Sequence, residues 1–247
     1  MLRKSLVVFL VTLLTASCCY AEPGKLIRMF PSFGNTPFGL SWVKRDSKSL
    51  LYVMDYSAEG YRVFDTQSGQ SLTDTIKTGL GPRHGIVVVG NKYYAPYFDS
   101  NTNKMIITSG DVDKPYPAGQ FELKNAPWSF SLAYDGIDFW AAGLRTTHKL
   151  FRFNDKGEIL QTIDIGENIQ SVAWGDNSLW ILKDSGKVMR MDKSGKILGE
   201  FTLNQALSIS GDGRGIAWDN ETKSLWLSSG NGVWNVQALT GISVPKN

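Results

Sequence analysis

Arg214–Val236, RGIAWDNETKSLWLSSGNGVWNV, decides how this chain folds, because it is the cleanest copy of a unit that recurs five times along the sequence. Gly215-Ile216-Ala217-Trp218-Asp219 is an apolar strand running into the polar turn Asn220–Ser224. Leu225-Trp226-Leu227 is a second strand, closed by the turn Ser229-Gly230-Asn231-Gly232, and Val233 begins a third. Three short strands joined by tight turns cannot bury both faces of their own sheet, so such a unit needs copies of itself as neighbours.

Those copies are visible. The segments leading into each first strand are Pro37–Trp42, Arg83–Val88, Pro127–Leu132, Ile169–Trp174 and Gly213–Trp218, whose starts lie 46, 44, 42 and 44 residues apart. Second strands follow as Leu51–Val53, Tyr93–Ala95, Phe139–Ala141, Leu179–Ile181 and Leu225–Leu227. Third strands such as Phe151–Asn154 and Met189–Asp192 run into turns ending at Gly157 and Gly195, where glycine supplies a positive φ. A period in the forties, with short strands and no helical pattern, predicts an all-β protein, a β-propeller of five four-stranded blades. The fifth repeat lacks a fourth strand at the C-terminus. Gly24–Phe30 matches Gly195–Phe201 in pattern, so the N-terminal strand is expected to complete the last blade and remove an exposed sheet edge. Ser109–Gly119, with Pro115 and Pro117, reads as a surface loop. Six tryptophans fall at two repeated positions, Trp42, Trp174 and Trp218 in first strands and Trp140, Trp180 and Trp226 in second strands, and are expected to pack between blades.

The 247 residues are 42% hydrophobic and 12% aromatic, which is ample for a packed core. Arg3-Lys4 and the apolar run Ser5–Ser17 have the form of a signal peptide, too short to span a bilayer. Residues 1–21 are read as that peptide and 22–247 as a single domain, exported to the periplasm or secreted. Two processing readings stand: cleavage before Glu22, or a permissive lipobox ending at Cys18, which would make Cys18 a lipid anchor and the product a membrane-anchored lipoprotein. Under either, the folded domain has no disulfide. Removing Arg3 and Lys4 leaves 24 basic against 23 acidic residues, and no basic run or helix face occurs, which argues against nucleic acid as a partner.

The residue just before the first strand varies while the strand positions around it are small or apolar. Phe38, His84, Trp128, Gln170 and Arg214 are expected to ring one mouth of the central channel, with side chains that can stack on a small molecule and hydrogen-bond it. The alternative reading is a set of turn residues chosen for local packing. Loops from second to third strands should open on the same mouth, and of their residues Asp55, Tyr97, Arg145 and Lys183 stand nearest the strand ends. The only histidines, His84 and His148, fall on mouth-side loops of adjacent blades and are the weak candidates for acid/base work. Asp99, Asn101 and Asn103 alternate like the start of a calcium loop, but Lys104 stands where such a loop needs glycine, so no cofactor is assigned and calcium is the one candidate. Ser210–Gly215 reads as a glycine-rich turn, with an anion nest as the alternative, and Asn220-Glu221-Thr222 is a glycosylation sequon.

The G-I-A-W-D strand followed by S-L-W-L resembles NHL-repeat and streptogramin-lyase-like propellers over roughly residues 24 to 241. The resemblance implies fold rather than chemistry. A lyase of that kind would pair histidines with a glutamate on the same mouth, for which Glu167 is the best-placed residue. A gluconolactonase-type site would want a glutamate where this chain has Phe38. Five blades depart from the commoner six and seven; five-bladed propellers include sugar-binding lectins, glycosidases and plant-type glutaminyl cyclases, and no local signature selects one. The expected function is a binding module for a small molecule or a protein at the channel mouth. The alternatives are an enzyme of lyase or cyclotransferase type at the same mouth, and a scaffold that binds proteins through blade edges.

Overall fold

The computed structural model describes residues 22–31, 37–78, 85–114, 116–126, 128–143, 148–203, 215–229 and 232–238. Its strands in chain order are β1 (Leu26–Pro31), then β2 (Pro37–Arg45), β3 (Lys48–Asp55), β4 (Gly60–Asp65) and β5 (Ile76–Lys77). The second blade holds β6 (Val87–Val89), β7 (Lys92–Asp99), β8 (Lys104–Asp111) and β9 (Gly119–Glu122), and the third β10 (Ser129–Tyr134), β11 (Phe139–Gly143), β12 (Lys149–Phe153) and β13 (Ile159–Asp164). The fourth holds β14 (Ile169–Gly175), β15 (Ser178–Lys183), β16 (Lys187–Met191) and β17 (Ile197–Thr202), and the fifth β18 (Ile216–Asp219), β19 (Ser224–Ser229) and β20 (Gly232–Gln237). Each blade is a four-stranded antiparallel sheet, and the fifth is ordered β1-β20-β19-β18. The protein is a five-bladed β-propeller.

The N-terminal strand closes the ring. Leu26 pairs with Val236 and Phe30 with Val233, and Gly24 N donates to Gln237 O at 2.8 Å. Two contacts then carry β1 across to the first blade: Arg28 Nη1 donates to Thr66 O at 2.8 Å, and the Phe30 ring stacks 5.2 Å from Trp226 in a core shared with Leu51 and Phe64. The turn glycines Gly157 and Gly195 have φ of 74° and 96°, as their place after the third strands demands. The segment Ser109–Gly119 is a hairpin rather than a loop throughout, since Ser109 pairs with Gly119 and β8 runs on to Asp111.

Apolar side chains on the two faces of each blade meet those of the next, giving five buried clusters, one per blade interface. Trp180 of the fourth blade lies parallel to Trp218 of the fifth, ring centres 5.0 Å apart at 9°. The second-strand tryptophans behave as expected: Trp140, Trp180 and Trp226 are essentially inaccessible, and each indole N–H is bonded, to Asp135 Oδ2, Gly175 O and Asp219 Oδ2. The first-strand set divides. Trp218 is buried, but Trp42 and Trp174 are only half-buried, and all three border a cavity. Trp42 and Trp174 still pack against the cores between blades, one edge of each turned to that cavity.

Serines hold the inner strands to one another. Ser131 Oγ accepts from Val172 N at 3.0 Å, Ser171 Oγ from Ile216 N at 3.2 Å, and Ser41 Oγ from Val88 N at 2.9 Å. An inner strand has an unpaired edge facing the channel, and these hydroxyls give its N–H groups partners that a sheet would otherwise supply.

Candidate functional site

The channel has two mouths, and different turn chemistry builds each. On one side the chain enters the inner strands, beside the hairpins from second to third strands. Pairing skips one residue of the inner strand there, at Phe38 between Pro37 and Gly39, at Phe130 between Ser129 and Ser131, and at Gln170 between Ile169 and Ser171. These are β-bulges, which re-aim a side chain at a sheet end. The counterpart of Phe38 and Gln170 in the third blade is therefore Phe130, two residues beyond Trp128, a register that the bulge hides in the sequence. His84, Arg145 and Arg214 lie outside the described residues.

Trp128 nonetheless sits on this mouth. It is 52% exposed, yet its ring packs 4.4 Å from Phe98 at the end of β7. Phe38 packs 5.4 Å from Tyr56 in the neighbouring hairpin. Gln170 and Tyr97 are half-buried. Two of the polar candidates have evident structural work. Asp55, 5% exposed, accepts through Oδ1 from Ser57 N, Ser57 Oγ and Ala58 N, the pattern of a side chain that caps its own turn. Lys183, also 5% exposed, donates to Glu200 at 2.5 Å and Glu167 at 3.2 Å. Burial works against the ammonium, but the two carboxylates outweigh it and hold its pKa above the ordinary lysine value. Glu167, placed beside the mouth by the sequence, is thus bound to a lysine.

His148 is exposed, at φ 47°, and its carbonyl accepts from Ile165 N. Asp99 caps a turn, with Oδ1 accepting from Asn101 N and Oδ2 from Thr102 Oγ; the Thr102 hydroxyl, more than any other group, holds its carboxyl below the usual range. Asn103 takes a left-handed φ of 57° in that turn. Among the described residues no three His, Cys, Asp or Glu side chains come close enough to hold a metal ion, and no helix is long and apolar enough to cross a membrane.

The opposite mouth is made by the hairpins from first to second strands. Trp42, Trp174, Gly175, Asp176, Asn177, Trp218 and Asn220 surround a cavity of about 420 Å³ there. It continues into a narrow throat of about 130 Å³ down the channel axis, walled by Leu40, Val87, Leu132, Ala173, Ile216 and Ala217 among others. The turn Asp176-Asn177 takes positive φ at both residues, 51° and 53°, which the tight hairpin geometry requires and Asp and Asn tolerate. A side chain at Gly175 would overlap the Trp218 indole, so glycine lets that ring reach the mouth. No site residue was assigned to this end from sequence; the one available clue was that its tryptophans recur at the last inward position of the strand.

No protein-family model matches the chain, and no curated protein matches it. Among solved structures, Myxococcus xanthus glutaminyl cyclase superposes with a TM-score of 0.64 at 15% identity, over 87% of this chain and 98% of the cyclase. The likeness is one of fold. The PQQ-bound aldose sugar dehydrogenase of Streptomyces coelicolor follows at 0.50 and 12% identity, over 86% of this chain and 97% of that one. A chain of a mitotic checkpoint complex gives 0.50 at 14%, over 82% of this chain and 63% of its own length. Propellers of this kind thus serve enzymes and assemblies alike, and the site has to be argued from its own residues.

Proposed function

We propose that the chain is an exported propeller that binds a small molecule at the mouth where the chain enters its inner strands. The observation that carries this is Trp128, which keeps half its surface in water while Phe98 holds it in place; a second aromatic pair, Phe38 and Tyr56, stands at the same end of the first blade. An indole fixed by packing and left open on one side offers stacking area at little entropic cost. Arg214 and His84, from sequence, supply charge and hydrogen bonds to the same ring. Native mass spectrometry of the mature protein incubated with a small-molecule extract of its source should show bound species, lost in Trp128→Ala and Arg214→Ala at unchanged melting temperature. Species retained by both variants would move the site elsewhere.

A second reading, an enzyme of the cyclotransferase type at that mouth, is supported by the fold likeness to glutaminyl cyclase over nearly the whole length of that protein. The two readings part at His84. In a binding module His84→Ala weakens affinity by about 1 to 2 kcal/mol, the range for one buried hydrogen bond. In an acid/base enzyme it lowers turnover of a peptide with N-terminal glutamine by roughly a hundredfold or more.

A further inference from the structure

We propose that the opposite mouth is a second binding site, and that it takes an uncharged aromatic molecule carrying a hydrogen-bond acceptor. Three observations converge on this chemistry. The first is the shape of the hollow, a vestibule of about 420 Å³ bordered by Trp42, Trp174 and Trp218 that narrows to a throat of about 130 Å³ whose wall is as polar as it is apolar. A vestibule of that size has room for one six-membered ring, and the bordering indoles offer faces on which it can stack.

The second concerns donors. The indole N–H groups of Trp42 and Trp218 are both buried without a hydrogen-bond partner, whereas those of Trp140, Trp180 and Trp226 in the second strands are all bonded. A buried donor left unpaired costs about 1 to 3 kcal/mol. A guest acceptor toward which the half-buried Trp42 indole turns restores that bond, so the cavity favours ligands with a carbonyl, hydroxyl or ring-nitrogen acceptor. Asn220 borders the same space; its Oδ1 already accepts from Lys223 Nζ at 2.8 Å, so what its amide has left to offer a guest is N–H donors.

The third is charge. A cage of indoles with a carboxylate at its rim would ordinarily attract a cation. Here that role is taken from within. Asp176 Oδ2 is bonded to the buried Arg190 at 2.7 Å, Arg190 lies 5.1 Å over the Trp180 ring, and Trp180 in turn covers a face of Trp218. Lys193 Nζ sits 4.8 Å over the Trp174 ring and is paired with Asp135. With the acid neutralised and two of the three indoles already facing a cation or another indole, an ammonium ligand gains little. An anion has no unpaired cation among the described wall residues to meet. An uncharged ring is what remains.

The test uses the mature protein with benzamide and phenol as probes, and tetramethylammonium and benzoate as charged comparators. Binding is read by saturation-transfer NMR from protein to ligand and by tryptophan emission. Benzamide and phenol should receive saturation and perturb the emission. Trp174→Ala should weaken them at least about tenfold, which corresponds to about 1.4 kcal/mol. Asn220→Ala, an exposed turn substitution that leaves the core untouched, should weaken benzamide several-fold and keeps the test valid if the tryptophan variant folds poorly. Failure of both neutral probes to bind, tighter binding of tetramethylammonium or benzoate, or equal benzamide affinity in wild type and Asn220→Ala would overturn the proposal. The site at the other mouth is untouched by these substitutions, so the two readings fail separately.

Discussion

Single side chains in this protein often turn out to be committed before any ligand arrives. Asp65, Asp192 and Asp219, like Asp55, each bend back to accept from backbone N–H groups two to four residues on. Glutamates go to lysines instead: Glu221 meets Lys44 and Ser49 across the seam of the first and fifth blades, and Glu200 meets Lys183 and Lys187. The Lys183 hydrogen bond is the main reason that the Glu200 carboxyl titrates below its ordinary value of 4.5, against the opposing effect of burial. A carboxyl whose folded pKa is depressed contributes stability that is present above the unfolded pKa and is lost as pH falls through the folded one. Wild-type melting temperature should therefore drop as pH is taken below about 4.5. Glu200→Gln should melt lower at neutral pH, because Lys183 loses a partner, yet show a shallower acid limb; a limb as steep as wild type would assign the acid sensitivity to other groups. Asp55, Tyr97, Lys183 and Glu167 were expected near a mouth from sequence, but the partners of Asp55, Lys183 and Glu167 were not legible there. The lysine and its two glutamates are 16 and 17 residues apart in sequence, and nothing local marks them as neighbours.

At the scale of elements, strand identity followed from alternation and turn residues, while strand register did not. The bulges at Phe38, Phe130 and Gln170 leave no mark in an apolar pattern, so the third-blade column was read from Trp128 and stands at Phe130. The serines of the inner strands carry a consequence for stability. Ser171→Ala leaves the N–H of Ile216 without its side-chain acceptor and breaks the 2.7 Å contact with Ser131 Oγ. That variant should lose about 1 to 3 kcal/mol, the cost of an unsatisfied buried group, as read from denaturant midpoints. A loss near zero would show that water in the channel serves the amide as well as the hydroxyl does.

For the whole molecule, closure is the term on which the others depend. β1 supplies the outer strand of the last blade and also contacts the first, through Arg28 and Phe30. Deleting Gly24–Phe30 should cost several kcal/mol, on the order of half of a typical domain's stability, and should raise aggregation by baring β20. A truncated protein that melts with the intact mature chain would mean that the ring does not need this strand. The sequence alone determined the class, the blade count and the closing strand, because those depend on local periodicity and on a repeat that must satisfy its own edges. Tertiary structure alone decided how deeply each tryptophan is buried and which of them border a cavity. Trp42, Trp174 and Trp218 share one place in the repeat with one apolar character, but Trp218 is covered by Trp180 and Gly175 of the neighbouring blade while Trp174 has Lys193 over its ring, and such partners from other strands are set only by packing around the ring.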